Sequence, residues 1–337
     1  MGVGSGTLEG LGMSWQGRTA FVTGATGLVG SWLCQRLLME GAKVVALVRD
    51  WDPQSELIRS GTVHQCTVVS SRLEDYERIE LALAENEVDT VFHLGAQAIV
   101  GTALRCPRAT FEANIRGSYN LLDACRVHGD LVQRIVIASS DKAYGESDRL
   151  PYTEDMPLAG HHPYDVSKSC TDLLALTYAH TYGLPVAVAR CGNIFGGGDL
   201  NWSRIVPGTI RMALDGKPPV LRSDGSFTRD YIYVEDVVDA YLVLAEKAPL
   251  QDVRGEAFNF SPEKALSVLE ITRLVLAEMG REDLEPIIQN IAHQEIRDQY
   301  LDASKARRVL GWSAQFPIAE GLKRTVDWYR TFLRATP

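Results

Sequence analysis

The sequence predicts an α/β protein, a doubly wound parallel sheet followed by a smaller mixed α/β region. Two observations carry the first part. Short apolar, β-rich runs alternate with amphipathic helical stretches, and a glycine-rich turn joins the first run to the first helix. A third marks the second part. After about Cys191 the alternation breaks down, and Gly196-Gly197-Gly198 and Lys217-Pro218-Pro219 punctuate irregular sequence.

Residues 1–15 (MGVGSGTLEGLGMSW) are glycine-rich and lack the charged and apolar regions of a signal peptide; they are expected to be a flexible leader, with the natural start at Met13. Strands are expected at 19–23, 43–48, 63–69, 90–94, 134–139 and 185–190. Each is a short apolar run bounded by Gly, Asp or Pro, as suits strands buried on both faces. Helices at 28–39, 75–85, 107–127 and 163–182 supply right-handed crossovers. Later helices are expected at 204–214 and 266–279, and 234–245 is apolar enough to return to the first domain. The expected division is a dinucleotide-binding domain over 16–192, with 230–260 returning to it, and a second domain over 193–229 and 261–337.

The 337 residues suffice for two domains or one large one. A net charge of −9 argues against a nucleic-acid partner, which requires a basic face. No apolar run reaches the ~18 residues of a membrane span. The six cysteines are scattered, without a C-x-x-C pair, so they predict neither a disulfide nor a zinc site and suit a reducing cytoplasm. His161-His162 has no acid at ligand spacing and reads as loop; no metal is expected. His93, after a core strand, reads as a packed, hydrogen-bonded histidine.

Thr23-Gly24-Ala25-Thr26-Gly27-Leu28-Val29-Gly30 lies where the first strand meets the first helix. Glycines at that spacing let the backbone approach a pyrophosphate and present the amides of a helix N-terminus, the Rossmann arrangement. The second strand ends in Arg49-Asp50. An acid there suits the ribose 2′-hydroxyl of NAD, an arginine the 2′-phosphate of NADP; NAD is expected, with NADP possible.

A second cluster promises chemistry. Ser139-Ser140-Asp141-Lys142-Ala143-Tyr144 follows the fifth strand, and Tyr164 and Lys168 stand one helical turn apart. An ammonium so placed is expected to lower the proton affinity of the phenol, which could then take a proton near neutral pH. Asp141 and Lys142 add a second acid/base centre. A carboxylate and an ammonium stabilise each other's charged forms, so the expectation is that the two share a proton rather than act independently.

Gly24-x-x-Gly27-x-x-Gly30 with Tyr164-x-x-x-Lys168 resembles the extended short-chain dehydrogenase/reductase family, in its NAD-dependent epimerase/dehydratase branch. The resemblance runs from about Gln16 to Tyr329. It includes Phe92-His93-Leu94-Gly95-Ala96-Gln97, Asn114-Ile115-Arg116-Gly117, Arg190-Cys191-Gly192-Asn193-Ile194-Phe195-Gly196 and Arg229-Asp230-Tyr231-Ile232-Tyr233-Val234-Glu235-Asp236. Ser140-Asp141-Lys142, together with Gly30-Ser31-Trp32-Leu33 and Arg204-Ile205-Val206-Pro207, looks like the CDP-glucose type of sugar-nucleotide 4,6-dehydratase.

The resemblance implies cofactor contacts from Gly24, Thr26, Gly27, Leu28, Val29 and Gly30, and from Arg49 and Asp50. It adds Arg72 and Leu73 after the third strand, Leu94, Ala96 and Gln97 after the fourth, and Asn114, Ser139, Tyr164, Lys168 and Arg190. Arg72-Leu73 departs from the Asp-Leu usual there, so adenine recognition would use another group or a guanidinium stack. The implied substrate is a nucleotide-diphosphate sugar, held by Gln97, Ser140, Asn193, Arg204, Arg229 and Arg297, since arginine forks suit phosphate oxygens. Tyr164 would take the C4 hydroxyl proton while hydride passes to the cofactor, with Ser140 holding that hydroxyl and Lys168 the nicotinamide ribose. Lys142 or a water would take the C5 proton, Asp141 would protonate the departing C6 hydroxyl, and hydride would return to C6. The alternatives are a C4-epimerase using the same Tyr164 and Lys168, and a non-catalytic dinucleotide sensor. Homodimerisation through helices 107–127 and 163–182 is implied as well.

Overall fold

The structure is a computed structural model and describes residues 15–291 and 296–335. Residues 1–14 of the expected leader lie outside the described residues. Trp15 does not behave as leader: it is 4% exposed and packs in the core, its ring 5.9 Å from that of Phe92.

Seven parallel strands form the central sheet: β1 (Thr19–Thr23), β2 (Lys43–Val48), β3 (Thr67–Ser70), β4 (Thr90–His93), β5 (Arg134–Ala138), β6 (Val186–Cys191) and, from late in the chain, β10 (Ala257–Phe260). Their order is β10-β6-β5-β4-β1-β2-β3. Alternate side chains serve opposite faces. Ala20 and Val22 of β1 join one apolar cluster and Phe21 the other; Val44, Ala46 and Val48 of β2 oppose Val45 and Leu47 in the same way. The connecting helices are α1 (Leu28–Met39), the short α2 (Glu56–Arg59), α3 (Tyr76–Glu85), α4 (Val100–Arg105), α5 (Pro107–Phe111), α6 (Gly117–Val127) and α7 (Pro163–Tyr182).

A second sheet gathers β7 (Asn193–Phe195), β9 (Thr228–Tyr233), β11 (Ala265–Ser267) and β13 (Asp298–Gln299), and β8 (Val220–Leu221) pairs with β12 (Ile287–Ile288). Helices α8 (Ile205–Leu214), α10 (Val268–Met279) and α11 (Ile318–Ala335) pack a further core with Phe195, Tyr231 and Tyr233. Helix α9 (Val234–Lys247) returns to the central sheet, where Val237, Tyr241 and Leu244 join the core shared with α1.

Two elements differ from expectation by more than a residue or two at an end. The third strand is shorter than 63–69, because Gly61 at φ +77° starts a 3-10 turn over Thr62–Gln65. As an edge strand β3 buries only Val69, so composition did not mark its start. The helix expected over 107–127 is three segments, with a π turn at Glu112–Arg116 between α5 and α6. The carbonyl of Asn114 in that turn accepts from the hydroxyls of Ser118 and Thr171, which offsets the loosened helical ladder.

All seven strands point the same way, so the loops after β1, β2, β4 and β5 share one edge. The strand order reverses between β1 and β4, and a crevice opens there.

Candidate active site

The turn after β1 is closed by sterics. Gly24 has φ +68°, and a Cβ on it would stand 2.7 Å from the Gly95 nitrogen. A Cβ on Gly30 would lie 2.1 Å from the Gly24 carbonyl oxygen. Helix α1 can press on the turn only without those side chains. Its N-cap Gly27 brings no side-chain cap and its first turn no acid, so the leading amides stay open to an anion. Thr26 is half-buried at this rim, whereas the side chains of Leu28 and Val29 pack into the core beneath it.

At the far end of the crevice, Arg49, Asp50, Arg72 and Gln97 line a common cavity of about 320 Å³. Arg49 and Asp50 are exposed and paired to each other at 2.5 Å. Leu73 does not join them. Its side chain is in the core and its carbonyl accepts from the Asn120 amide at 3.1 Å. Leu94 and Ala96 are half-buried after β4. Asn114, expected at the cofactor, is instead a buried strut. It accepts from the Gln97 N–H at 2.7 Å and donates to the Ser167 hydroxyl at 2.9 Å, tying the loop after β4 to α7. His93 is the packed residue expected: Thr23 and Ser118 hold its two ring nitrogens at 2.8 and 2.9 Å. Burial, with the charge of Lys168, pushes its pKa down to about 3.

Tyr164 and Lys168 both face the interior at 9% and 5% exposure. The Lys168 amine donates to the Ala138 carbonyl at 2.7 Å. Burial pushes its pKa down to about 8, against the pull of Asp172 one turn further along α7. The expected lowering of the phenol does not occur. Burial pushes Tyr164 up to about 12, and Asp141 and Asp165 add to the rise. The cation that pulls it down is Arg204, helped by hydrogen bonding to Ser140.

Ser140 caps the 3-10 turn Asp141–Tyr144, accepting from the Lys142 N–H at 3.3 Å. Its hydroxyl donates to Asp141 Oδ1 at 3.0 Å, while the buried Asp141 Oδ2 and Ser139 Oγ have no hydrogen-bond partner among the described residues. The Lys142 amine donates to Gln299 Oε1 at 2.9 Å. Among the described residues Asp141 and Lys142 form no ion pair, so the expected proton sharing has no direct bond to run through.

The sequence profile of the NAD dependent epimerase/dehydratase family matches residues 20–260. The chain belongs to that family. It is 29% identical to a CDP-glucose 4,6-dehydratase of Salmonella typhimurium, covering 95% of this chain and 92% of the relative. Among solved structures it resembles a UDP-glucose 4-epimerase of Thermotoga maritima with UDP-glucose (TM-score 0.85, 28% identity, covering 94% of this chain and 99% of that one). A dTDP-glucose 4,6-dehydratase of Streptomyces venezuelae with NAD bound gives a TM-score of 0.84 at 27% identity, covering 92% and 96%.

For an NAD-dependent family the cradle fits: the glycines that a Cβ would block are those a pyrophosphate must approach, and the amides of α1 stand open there. The structure uses two of the expected arginines elsewhere. Arg190 is 3% exposed, bidentate to Asp172 at 2.8 and 2.9 Å and donating to the Tyr144 hydroxyl. Its fork is engaged in this buried ion pair, which ties β6 to α7. Arg229 is 7% exposed and donates to the carbonyls of Thr228 and Arg297 at 2.7 Å and to that of Ile296. It braces β9 against the chain leading into β13. Arg204 is bound to the buried Asp199 at 3.0 Å, Arg297 is exposed and only loosely paired to Asp298 at 3.8 Å, and Asn193 opens β7 half-buried.

Sequence reading missed three residues of this site. Asp172 was findable, since it stands one turn beyond Lys168. Asp230, inside the recognised Arg229-Asp230-Tyr231 run, has its pKa raised to about 6 by burial, with Asp141 adding to the rise. Gln299 stands two residues beyond the expected Arg297, but nothing in the sequence marked its own amide for the site.

Proposed function

We propose that the protein is a nucleotide-sugar 4,6-dehydratase of the CDP-glucose type, forming a 4-keto-6-deoxy sugar nucleotide. The observation that carries this is the second acid/base centre. Asp141, close enough to Tyr164 to raise its pKa, keeps one carboxylate oxygen without a hydrogen-bond partner among the described residues, and Lys142 is held separately by Gln299. Epimerisation at C4 needs one proton acceptor at the C4 hydroxyl, whereas loss of water across C5 and C6 needs two more groups.

NAD, when bound along the Gly24–Gly30 turn with Asp50 or Arg49 at its ribose, supplies a hydride acceptor that is restored within each cycle. The protein's own residues move the protons. Tyr164, deprotonated with the help of the Arg204 charge and Ser140, takes the proton of the C4 hydroxyl. Lys168, fixed by the Ala138 carbonyl, orients the nicotinamide ribose. The Lys142 amine takes the C5 proton and returns it to C5 once C6 is reduced, and Asp141 delivers a proton to the C6 oxygen, which leaves as water. The proton gained by Tyr164 balances the one Asp141 gives up. The diphosphate is met by Arg297, Arg204 and Asn193, with residues 193–229 and 261–337 as the nucleotide-sugar domain.

Further readings belong to the same proposal. A homodimer is supported by exposed apolar residues on α6 and α7, namely Tyr119, Val127, Leu173 and Tyr182. Six unpaired cysteines suit the cytoplasm. The second reading, a C4-epimerase, is favoured by the likeness to the Thermotoga maritima enzyme. Incubation with CDP-, UDP-, GDP- and dTDP-hexoses separates the two by product mass. Loss of one water is expected from a CDP-hexose. An isomer of unchanged mass from any of the four substrates would replace dehydration by epimerisation.

A further inference from the structure

Gln299 stands 157 residues from Lys142 in sequence, yet its side chain is the hydrogen-bond partner of the lysine amine. We propose that Gln299 is a positioning residue for Lys142, holding the amine apart from Asp141 so that acid and amine work at different atoms of the sugar. The inference rests on the dehydration reading above.

Three features carry it. Gln299 is fully buried, and β13 runs parallel to β9 with Gln299 paired to Arg229, so its amide has a fixed origin. Arg229 itself grips the carbonyls of residues 296 and 297, which locks the approach to that short strand. Second, the neighbouring acid is held by a different group: Asp141 Oδ1 accepts from Ser140, and its Oδ2 has no hydrogen-bond partner among the described residues, the Lys142 amine included. Third, the partner is a neutral amide. It accepts a hydrogen bond without adding a charge, whereas a carboxylate there would bind the ammonium as an ion pair. Other acids do lie within reach of this cluster, Asp165 feeling the charge of Lys142 and Asp230 that of Asp141. Neither takes the hydrogen bond of the amine. A side chain held by one neutral acceptor keeps its direction, and direction is what a C5 proton transfer requires.

Gln299→Met removes the acceptor at nearly constant size. Gln299→Asn keeps an amide but falls a methylene short, and serves if the methionine protein does not fold. Each is expected to lower kcat for water loss at least about tenfold. KM should stay within about threefold, because the interaction matters after binding. Reduction of bound cofactor by substrate should keep its wild-type rate. Combined with Lys142→Met, neither variant should lose more than Lys142→Met alone. Wild-type kcat in a folded variant, equal losses in cofactor reduction and water release, or additive losses with Lys142→Met each overturn the proposal. Wild-type protein that releases no water from any nucleotide hexose overturns the dehydration reading, and this proposal with it, whatever the Gln299 variants do.

Discussion

The Gly24–Gly30 turn and the Ser139–Tyr144 turn lie on one edge of one sheet, and they are built on opposite terms. The first is held by what is absent: two missing side chains let backbone meet backbone within distances no Cβ tolerates. Its hydrogen bonds are local, the Gly27 N–H donating to the Gly24 carbonyl, and its distant neighbour, the Gly95 backbone, contributes shape rather than charge. The second is held by what it borrows. Ser140, Asp141 and Lys142 depend on one another, on Gln299 from β13 and on Tyr164 from α7. Binding a dinucleotide needs a fixed shape, which local sterics provide. Moving protons needs groups at defined charge, which only tertiary neighbours provide.

The two turns separate most clearly at Tyr164. Tyr164→Phe removes the proposed proton acceptor and leaves the glycine turn intact, so cofactor reduction by substrate should slow about 10³-fold while NAD affinity is unchanged. Stopped-flow absorbance of the nicotinamide reads the first, titration calorimetry the second. A variant that still reduces its cofactor at the wild-type rate would remove Tyr164 from the chemistry. Next in size is Asp141→Asn, which keeps the shape and the contact to Ser140. Water loss should fall about 10²-fold while cofactor reduction survives, so that reduced cofactor accumulates. Unchanged 4-keto-6-deoxy product would end the acid assignment. On the steric side, Gly30→Ala should weaken NAD about ten- to a hundredfold through overpacking, without altering the alkaline limb of the rate profile. An alanine variant that binds NAD as well as wild type would mean that the turn gives way easily.

What was legible in the sequence follows the same division. The bounds of β1, α1, β2 and α7 could be read residue for residue, because each is set by nearby signals: an apolar run, a glycine turn, Pro163 at a helix start. The start of β3 was not, since an edge strand with one buried residue has little pattern to read. In the site, Tyr164, Lys168, Ser140, Asp141 and Lys142 were recognisable as types at a spacing, but not their electrostatics. Lys168 is neighbour to Tyr164 on the helix, yet the charge that steadies the phenol comes from Arg204 across the crevice. Arg190 looked like a cofactor ligand until the fold placed Asp172 and Tyr144 around its fork. Gln299 needed the parallel pairing of β13 with β9, which nothing near residue 299 announces.

The smallest expected effect concerns stability rather than turnover, and it asks whether the borrowed charges carry a cost that the glycine turn does not. Asp230 is 1% exposed behind Asp141, and burial raises its pKa from 3.8 to about 6. Between those values the folded protein binds more protons than the unfolded chain, so the stabilisation is complete below pH 3.8 and is lost as pH rises through about 6. At about 1.4 kcal/mol per pH unit the loss is bounded at about 3 kcal/mol. Asp236 on α9 is also raised to about 6 by burial, so the wild-type slope alone does not isolate the site. The difference between wild type and Asp230→Asn does. Urea unfolding at pH 4 and pH 7 should give a smaller drop in stability for the asparagine protein, whose side chain does not titrate. Gly30→Ala should shift both values equally, because strain against a carbonyl oxygen is indifferent to pH. If Asp230→Asn keeps the full wild-type drop, the carboxylate is not held at a cost, and the reaction turn is as self-sufficient as the glycine turn beside it.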